Sequence, residues 1–269
     1  MAGRKLHTSR IIPLLVATGH CERSAAIKTR MFVATAVLLL TLAASAAAKY
    51  SGGMGLPNDP YQIATAADLI ALGNEPNDYD KHFILTADID LDPNLPGRKV
   101  FDKAVIAPNT NRRWYWGFVG TPFTGVFNGN AHTVSHMTIE VGAYVGLFGY
   151  LASGAEVKNL GVIDVKITAW GVDVGGLVGR NDGTVSQCYS MGTVIGDSSV
   201  GGLVGGNGGT VIQCYSTAVV NGIGESGGGG RLPYYAGVGG LVGENGGTVT
   251  QCYSAGATSG DSHIGNRIF

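Results

Sequence analysis

The chain has 269 residues, with 18 Lys and Arg, 19 Asp and Glu, and a formal net charge of −1. Its 44 glycines are interspersed with Val, Leu, Ile and Tyr, which excludes a disordered linker. Six of the bases and one acid precede residue 49, which leaves 12 bases and 18 acids after it and a charge of −6. No basic stripe remains, so we expect no nucleic-acid partner.

The N-terminal residues are expected to lie outside the folded protein. Residues 31–48 form a short apolar run that ends in alanines at Ala48 and follows Lys28 and Arg30, the pattern of a secretory signal peptide. The run is short for a membrane anchor, so we predict no membrane span in the mature chain. Residues 1–30 show no periodicity, and we expect them to be unstructured or to precede the true start. The protein is therefore predicted to be secreted, extracellular or held at the cell surface.

Residues 49–122 do not repeat and are predicted to form an N-terminal cap with entry strands. A short strand is expected at Tyr61, followed by the capping-box spacing of Thr65 and Asp68, which predicts a helix through Leu72. A solenoid needs such an atypical terminal unit to cover the open edge of its first coil.

Alternation over Lys81–Leu91 predicts a second strand, with Asp88, Asp90 and Asp92 on one face. Three carboxylates on one side suit calcium, although the Gly and distal Glu of an EF-hand loop are missing. Solvated strand acids are the favoured interpretation, and calcium the weaker one.

An aromatic segment in the same region is a candidate ligand-binding site. Arg112, Trp114 and Trp116 lie within eight residues, and indole faces stack on sugar rings while guanidinium groups bind hydroxyls or carboxylates. Packing of one Trp beneath the cap is the competing interpretation.

Residues 123–269 contain the strongest pattern in the chain. The segments 175–190, 201–216 and 239–254 are nearly identical, each with the order Gly-Gly-Leu-Val-Gly-x-Asn-x-Gly-Thr-Val-x-Gln-Cys-Tyr-Ser. Equivalent segments must occupy equivalent places in a stack, and their spacing suits three short strands and three turns per coil. We predict an all-β fold, a right-handed parallel β-helix, with the hand taken from the crossover rule for parallel strands.

The repeats define the residues that should stack between coils. We expect buried leucine, valine and cysteine ladders, and an asparagine ladder at a turn where a left-handed backbone is tolerated. Two looser coils are aligned by placing Phe127 with Phe148, and Val134 with Val157. Reduced, packed thiols are favoured over disulfides for the cysteines, although both remain open. The predicted ladder residues are Leu177, Leu203, Leu241, Val185, Val211, Val249, Cys188, Cys214, Cys252, Asn181, Asn207 and Asn245.

The longest insertion between coils, at about residues 221–237, carries a second candidate ligand-binding group, Arg231, Tyr234 and Tyr235. Loops on a rigid scaffold often carry function, and a tolerated neutral insertion is the alternative.

The repeat unit resembles the GLUG repeat of exported bacterial proteins, and Phe127–His132 with Met137–Ile139 resembles the coil pattern of pectin-lyase-like β-helices. The resemblance covers about residues 61–254. It implies an extracellular or surface protein, without implying a particular activity.

A search for chemistry finds no catalytic constellation and no cofactor motif. His132 and His136 lack the Glu of a metallopeptidase motif, and the acids occupy different repeat positions instead of one face. We therefore expect no enzyme, but a structural or adhesion-type β-solenoid that binds an extracellular glycan or a surface protein. A degenerate polysaccharide lyase-like enzyme, or a fragment of a larger surface protein, is the alternative. The chain stops where a further coil should begin, which predicts end-to-end self-association.

Overall fold

The structure is a computed structural model that describes residues 49–111, 117–140, 142–223, 237–260 and 264–265. Within these ranges it contains 24 short strands and one α-helix. The strands pair in parallel and form four sheets, so that the chain winds as a parallel β-helix. The predicted fold class is confirmed, and the right-handed sense of the winding stays a prediction.

The four sheets are numbered in the order in which a coil visits them. Sheet 1 contains β1 (Tyr61–Ile63), β2 (His82–Leu85), β4 (Val126–Asn128), β8 (Glu156–Lys158), β12 (Thr184–Ser186), β16 (Thr210–Ile212) and β21 (Thr248–Thr250). Sheet 2 contains β3 (Ile89–Asp90), β5 (Thr133–Ser135), β6 (Thr138–Glu140), β9 (Gly161–Thr168), β13 (Tyr189–Gly196), β17 (Tyr215–Ser216), β18 (Val219–Gly222), β22 (Tyr253–Ser254) and β23 (Thr258–Gly260). Sheet 3 contains β10 (Val172–Gly175), β14 (Ser198–Gly201), β19 (Val238–Gly239) and β24 (Ile264–Gly265). Sheet 4 contains β7 (Phe148–Leu151), β11 (Val178–Asn181), β15 (Val204–Asn207) and β20 (Val242–Asn245).

Each repeat coil therefore has four strand segments, and the prediction of three was wrong. The additional corner lies at the paired glycines that open each repeat, such as Gly175 and Gly176, between β10 and β11. A side chain on Gly175 would meet the backbone of Val178 and of the next coil, so only glycine fits this close approach.

The interior of the stack follows the predicted register. Val185 pairs with Val211, and Val211 pairs with Val249, across β12, β16 and β21. The amide of Leu203 donates to the carbonyl of Leu241 at 2.9 Å, and all three leucines of that ladder are buried. Stacking of these apolar side chains removes them from water, at about 1.5–3 kcal/mol each.

The asparagine ladder also forms, with a different backbone from the one expected. The side-chain amide of Asn181 donates to Oδ1 of Asn207 at 2.8 Å, and that of Asn207 donates to Oδ1 of Asn245 at 2.7 Å. None of the three has the left-handed conformation; they end strands of sheet 4. The left-handed corner residues of the repeats are instead Gln187 and its equivalents, with φ of 52–54°.

The alignment was wrong for the first of the two looser coils, whereas Val157 of the second pairs with Val185 of the first repeat. Phe127 pairs with Val157 in sheet 1, and Val134 pairs with Val162 in sheet 2. Phe148 does pair with Val178, as expected. Because apolar residues alternate with a period of two, several registers bury the same number of side chains, and no repeat selects one of them here.

The N-terminal segment begins with the predicted strand and helix. Helix α1 spans Ala66–Gly73, and Thr65 and Asp68 form the expected capping box. Leu69 and Leu72 are buried beneath it. The expected strand over residues 81–91 is split into β2 and β3, which belong to different sheets, because the chain turns a corner between them. The parallel sheets continue without interruption across residue 122, since β2 pairs with β4.

Candidate functional site

Both sequence-predicted ligand-binding groups lie outside the described residues. These are Arg112, Trp114, Trp116, Arg231, Tyr234 and Tyr235. Among the described residues that follow the first group in the chain, the ring of Phe118 packs edge-on against Tyr144 and Tyr150, at 5.5 and 4.9 Å between centroids. Among the described residues that follow the second group, the carbonyl of Gly237 accepts a hydrogen bond from the amide of Val200 at 2.9 Å.

The candidate calcium ligands are engaged by the next coil. Asp88 accepts from the backbone of β5 and lies 3.2 Å from Nδ1 of His132, and Asp90 lies 2.9 Å from Nδ1 of His136. Asp92 accepts bonds from the turn that follows it. The hydrogen bond that His136 donates to Asp90 raises the pKa of His136. The carboxylates of Asp88 and Asp90 thus join successive coils. The described residues contain no group of three or more His, Cys, Asp or Glu side chains able to hold a metal ion.

The cysteine ladder is buried and structural. Cys188, Cys214 and Cys252 are free thiols with at most 2% of their surface exposed. Each Sγ donates to a backbone carbonyl and, in the two later coils, accepts from the amide of the preceding cysteine at 3.3 Å. The hydrogen bond with Cys188 and burial raise the pKa of Cys214 to about 12, so the thiol is not a nucleophile at neutral pH.

A tyrosine stack lies on the outer face of sheet 2. The rings of Tyr189, Tyr215 and Tyr253 are parallel within 4°, with centroids 4.9 and 5.1 Å apart. The lower face of Tyr189 lies against Gly161, where a Cβ would be 2.4 Å from Cζ. Because the inner ring faces cover one another, they cannot stack on a sugar, and this stack holds the coils together.

A cluster of charged and polar side chains lies on the outer side of sheets 3 and 4, and we call it the acidic flank. It consists of Asp173, Arg180, Asp182, Ser199 and Glu244. The register brings them together: Asp173 lies beside Ser199 of the next coil, and Arg180, Gly206 and Glu244 are successive neighbours across sheet 4. The expectation that the acids do not share a face is therefore wrong for Asp173, Asp182 and Glu244.

Asp173 is the most unusual member of the flank. Its side chain lies over Gly206, where a Cβ would be 2.5 Å from Oδ1 of Asp173. Only 6% of its surface is exposed, and no described residue donates a hydrogen bond to its carboxylate. Burial, with a further contribution from Glu244, raises the pKa of Asp173 to about 7, although the charge of Arg180 opposes this.

Arg180 and Asp182 form the ordered part of the flank. Nε of Arg180 lies 3.1 Å from Oδ1 of Asp182, and the hydroxyl of Tyr150 donates to Oδ2 of the same carboxylate at 2.6 Å. That hydrogen bond and burial raise the pKa of Tyr150 to about 12. Burial disfavours the charged form of Arg180, but the negative charges of Asp173 and Asp182 outweigh this effect and raise the pKa of Arg180. Arg180 therefore stays charged and is already paired with Asp182.

The far side of the flank belongs to the two following coils. The hydroxyl of Ser199 donates to Oε2 of Glu244 at 2.9 Å. Strand β15 lies between Glu244 and the ion pair of Arg180 with Asp182. The strand carries Gly206 at this point and is followed by Gly208, so neither position has a side chain. A Cβ on Gly208 would lie 2.5 Å from Oδ1 of Asp182. The two carboxylates of one coil are thus seated over two glycines of the next.

The signal that could have revealed the flank is the variation inside the repeat. At the position after Gly-Leu-Val-Gly, the three copies carry Arg180, Gly206 and Glu244. At this one register position, the charges of the outer two coils are opposite and the middle coil has a glycine. This indicates a local departure from a purely repetitive surface. Asp173 lies before the first copy, so no repeat places it.

No family model matches the chain. It is 30% identical over 152 residues to "Halomucin" of Haloquadratum walsbyi, covering 54% of this chain and 2% of that protein. It is 35% identical over 144 residues to a "Putative Gly-rich membrane protein" of Evansella cellulosilytica, covering 51% of this chain and 15% of that protein. The chain therefore spans only a small part of the length of either relative.

The fold is similar to the crystal structure of a "putative immunoglobulin A1 protease" from Bacteroides ovatus. The TM-score is 0.56 at 22% sequence identity, over 79% of this chain and 61% of that one. At this identity the likeness shows the fold alone. Within the described residues no helix is long and apolar enough to cross a membrane.

Proposed function

We propose that the protein is a secreted or cell-surface, non-catalytic β-solenoid that binds an extracellular glycan on its acidic flank. The observation that carries the proposal is the buried carboxylate of Asp173, which lies beside Arg180 and lacks a hydrogen-bond donor among the described residues. Sugar hydroxyls donate to carboxylates and accept from guanidinium groups, so a saccharide supplies what this arrangement lacks.

Export is supported by the signal-peptide pattern of residues 31–48, by the resemblance to GLUG repeat proteins, and by the name of one relative, a membrane protein. Adhesion-type binding suits the architecture, because a stack of coils presents a long rigid side on which one face can differ locally from the rest.

A glycan array tests this proposal directly. The full chain should bind one class of glycan, and Asp173→Asn should weaken that binding at least tenfold while the variant still folds. Glu156→Gln is the matched control: it removes one carboxylate charge from the outer face of sheet 1, where Glu156 is 2.9 Å from Lys158. Equal losses in both variants, or binding that neither affects, would argue against the flank.

One observation favours a second candidate function, a hydrolase or lyase acting on a polysaccharide. Asp173, with a pKa of about 7, lies near the carboxylate of Glu244, and a pair of carboxyl groups is the usual arrangement for acid–base catalysis. New reducing ends or unsaturated products from a polysaccharide panel, lost in both Asp173→Asn and Glu244→Gln, would replace the binding proposal with this one.

A further inference from the structure

We propose that the acidic flank binds a primary ammonium group, so that the recognised glycan is an amino sugar with a free amine. This deepens the proposed function and rests on it. The inference depends on Asp173, a residue whose surface is more than nine-tenths buried. Its carboxylate lies over Gly206 and has no donor among the described residues.

The charge balance of the flank favours a cation. Asp173, Asp182 and Glu244 contribute three carboxylates against one guanidinium, and Arg180 is bound to Asp182. A uronate or a sulfate would meet this excess of negative charge and would be repelled. An ammonium group is attracted by it, and the mature chain as a whole is acidic.

The burial of Asp173 distinguishes an ammonium from a hydroxyl. An ionised carboxylate without a donor carries a large desolvation penalty. A hydroxyl offsets part of that penalty with one neutral hydrogen bond. An ammonium offers three donors and a positive charge, and charge-assisted hydrogen bonds are roughly twice as strong as neutral ones. Glu244, which is exposed beside Gly206 in the register, is a second acceptor for the same group.

Ionisation of Asp173 makes the binding dependent on pH. The groups that face it are Arg180 and Asp182 from the same coil, and Ser199 and Glu244 from the coils that follow. Of these, Arg180 stays charged, while Ser199 does not titrate. Affinity for a ligand whose own charge is constant should therefore rise as the pH passes through about 7.

The experiment compares three probes by isothermal titration calorimetry on the full chain. Glucosamine hexamer carries free amines, N-acetylglucosamine hexamer lacks them, and a tri-lysine peptide offers the amine without the sugar. The lysine side chains stay protonated between pH 6 and 8, and the α-amino group of the peptide is acetylated because it would titrate in this range. The peptide therefore reports the ionisation of the protein. Asp173→Asn and Gly206→Ala alter the site, and Glu156→Gln is the charge-matched control.

At pH 6.5, where the sugar amines are substantially protonated, we expect glucosamine hexamer to bind at least tenfold more tightly than the acetylated hexamer. The preference should disappear in Asp173→Asn and in Gly206→Ala and persist in Glu156→Gln. Equal binding of both hexamers would overturn the ammonium proposal and leave the glycan function standing. Asp173-dependent binding of the peptide alone would support the ammonium site and overturn the glycan function. Absence of binding by all three probes would overturn the ammonium proposal, and the glycan array then decides the glycan function separately.

Discussion

The carboxylate of Asp173 occupies the space that a side chain at position 206 would fill. A Cβ on Gly206 would lie 2.5 Å from Oδ1 of Asp173 and 3.3 Å from Cδ of Arg180, both of them atoms of flexible side chains. One residue earlier, a Cβ on Gly205 would lie 2.4 Å from the backbone nitrogen of Val174. These adjacent glycines of one strand therefore have different roles. Gly206 leaves space for a side chain of the flank, and Gly205 leaves space for the backbone of the previous coil.

Substitution of these two glycines by alanine should separate binding from stability. Gly206→Ala displaces a side chain that can rotate toward solvent, so its free energy of unfolding should change by less than about 1 kcal/mol. Gly205→Ala forces two backbones apart and should cost about 3 kcal/mol, at the upper end of overpacking effects. Urea denaturation of both variants measures the difference. Similar losses in the two would show that the carboxylate does not lie over Gly206.

Asp173 should lower stability as the pH rises. Its pKa is about 7 when folded and near 3.8 when unfolded, so between these values the folded state holds the extra proton. The stabilisation that this proton provides is fully present below about pH 4, falls as the pH rises, and is lost by about pH 7. At about 1.4 kcal/mol per pKa unit, Asp173→Asn should be a few kcal/mol more stable than the parent at pH 8 and equal to it at pH 4. Chemical denaturation at both pH values tests this, and a stability difference that does not vary with pH would refute the raised pKa.

The asparagine ladder has a direction that mutation can reveal. Asn207 accepts from Asn181 and donates to Asn245, whereas Asn245 only accepts along the ladder and is exposed. Asn207→Asp removes a buried donor and introduces a buried charge, at an expected cost of about 3 kcal/mol. Asn245→Asp keeps its acceptor and should cost less than about 1 kcal/mol. If thermal melting ranks the two variants the other way, the hydrogen bonds run in the opposite direction.

The three buried thiols should be inert in the native protein. In a Cys21→Ala background, iodoacetamide at pH 8 should leave Cys188, Cys214 and Cys252 unmodified, because they are buried and the pKa of Cys214 is raised to about 12. In guanidinium chloride all three should be alkylated. Mass spectrometry counts the adducts, and rapid native labelling would place the ladder at the surface.

The repeats made part of this structure predictable. Leu203, Asn207 and Cys214 could be placed because two further copies of the same segment fix their register. Phe127 and Val134 could not, since alternation alone permits several registers. Asp173 meets Gly206 only through the pairing of β10 with β14 and of β11 with β15, which joins a residue before the first repeat to one inside the second. The ladders were therefore accessible from the sequence, whereas the acidic flank required the register of neighbouring coils.

Hydrogen–deuterium exchange on the full chain, with and without glucosamine hexamer, tests most directly the claim that the acidic flank is a binding surface. Added protection should be confined to peptides covering residues 172–182, 198–208 and 242–246, and Asp173→Asn should abolish it. Protection located instead on β1, β2 and β4, or protection that survives in Asp173→Asn, would contradict it.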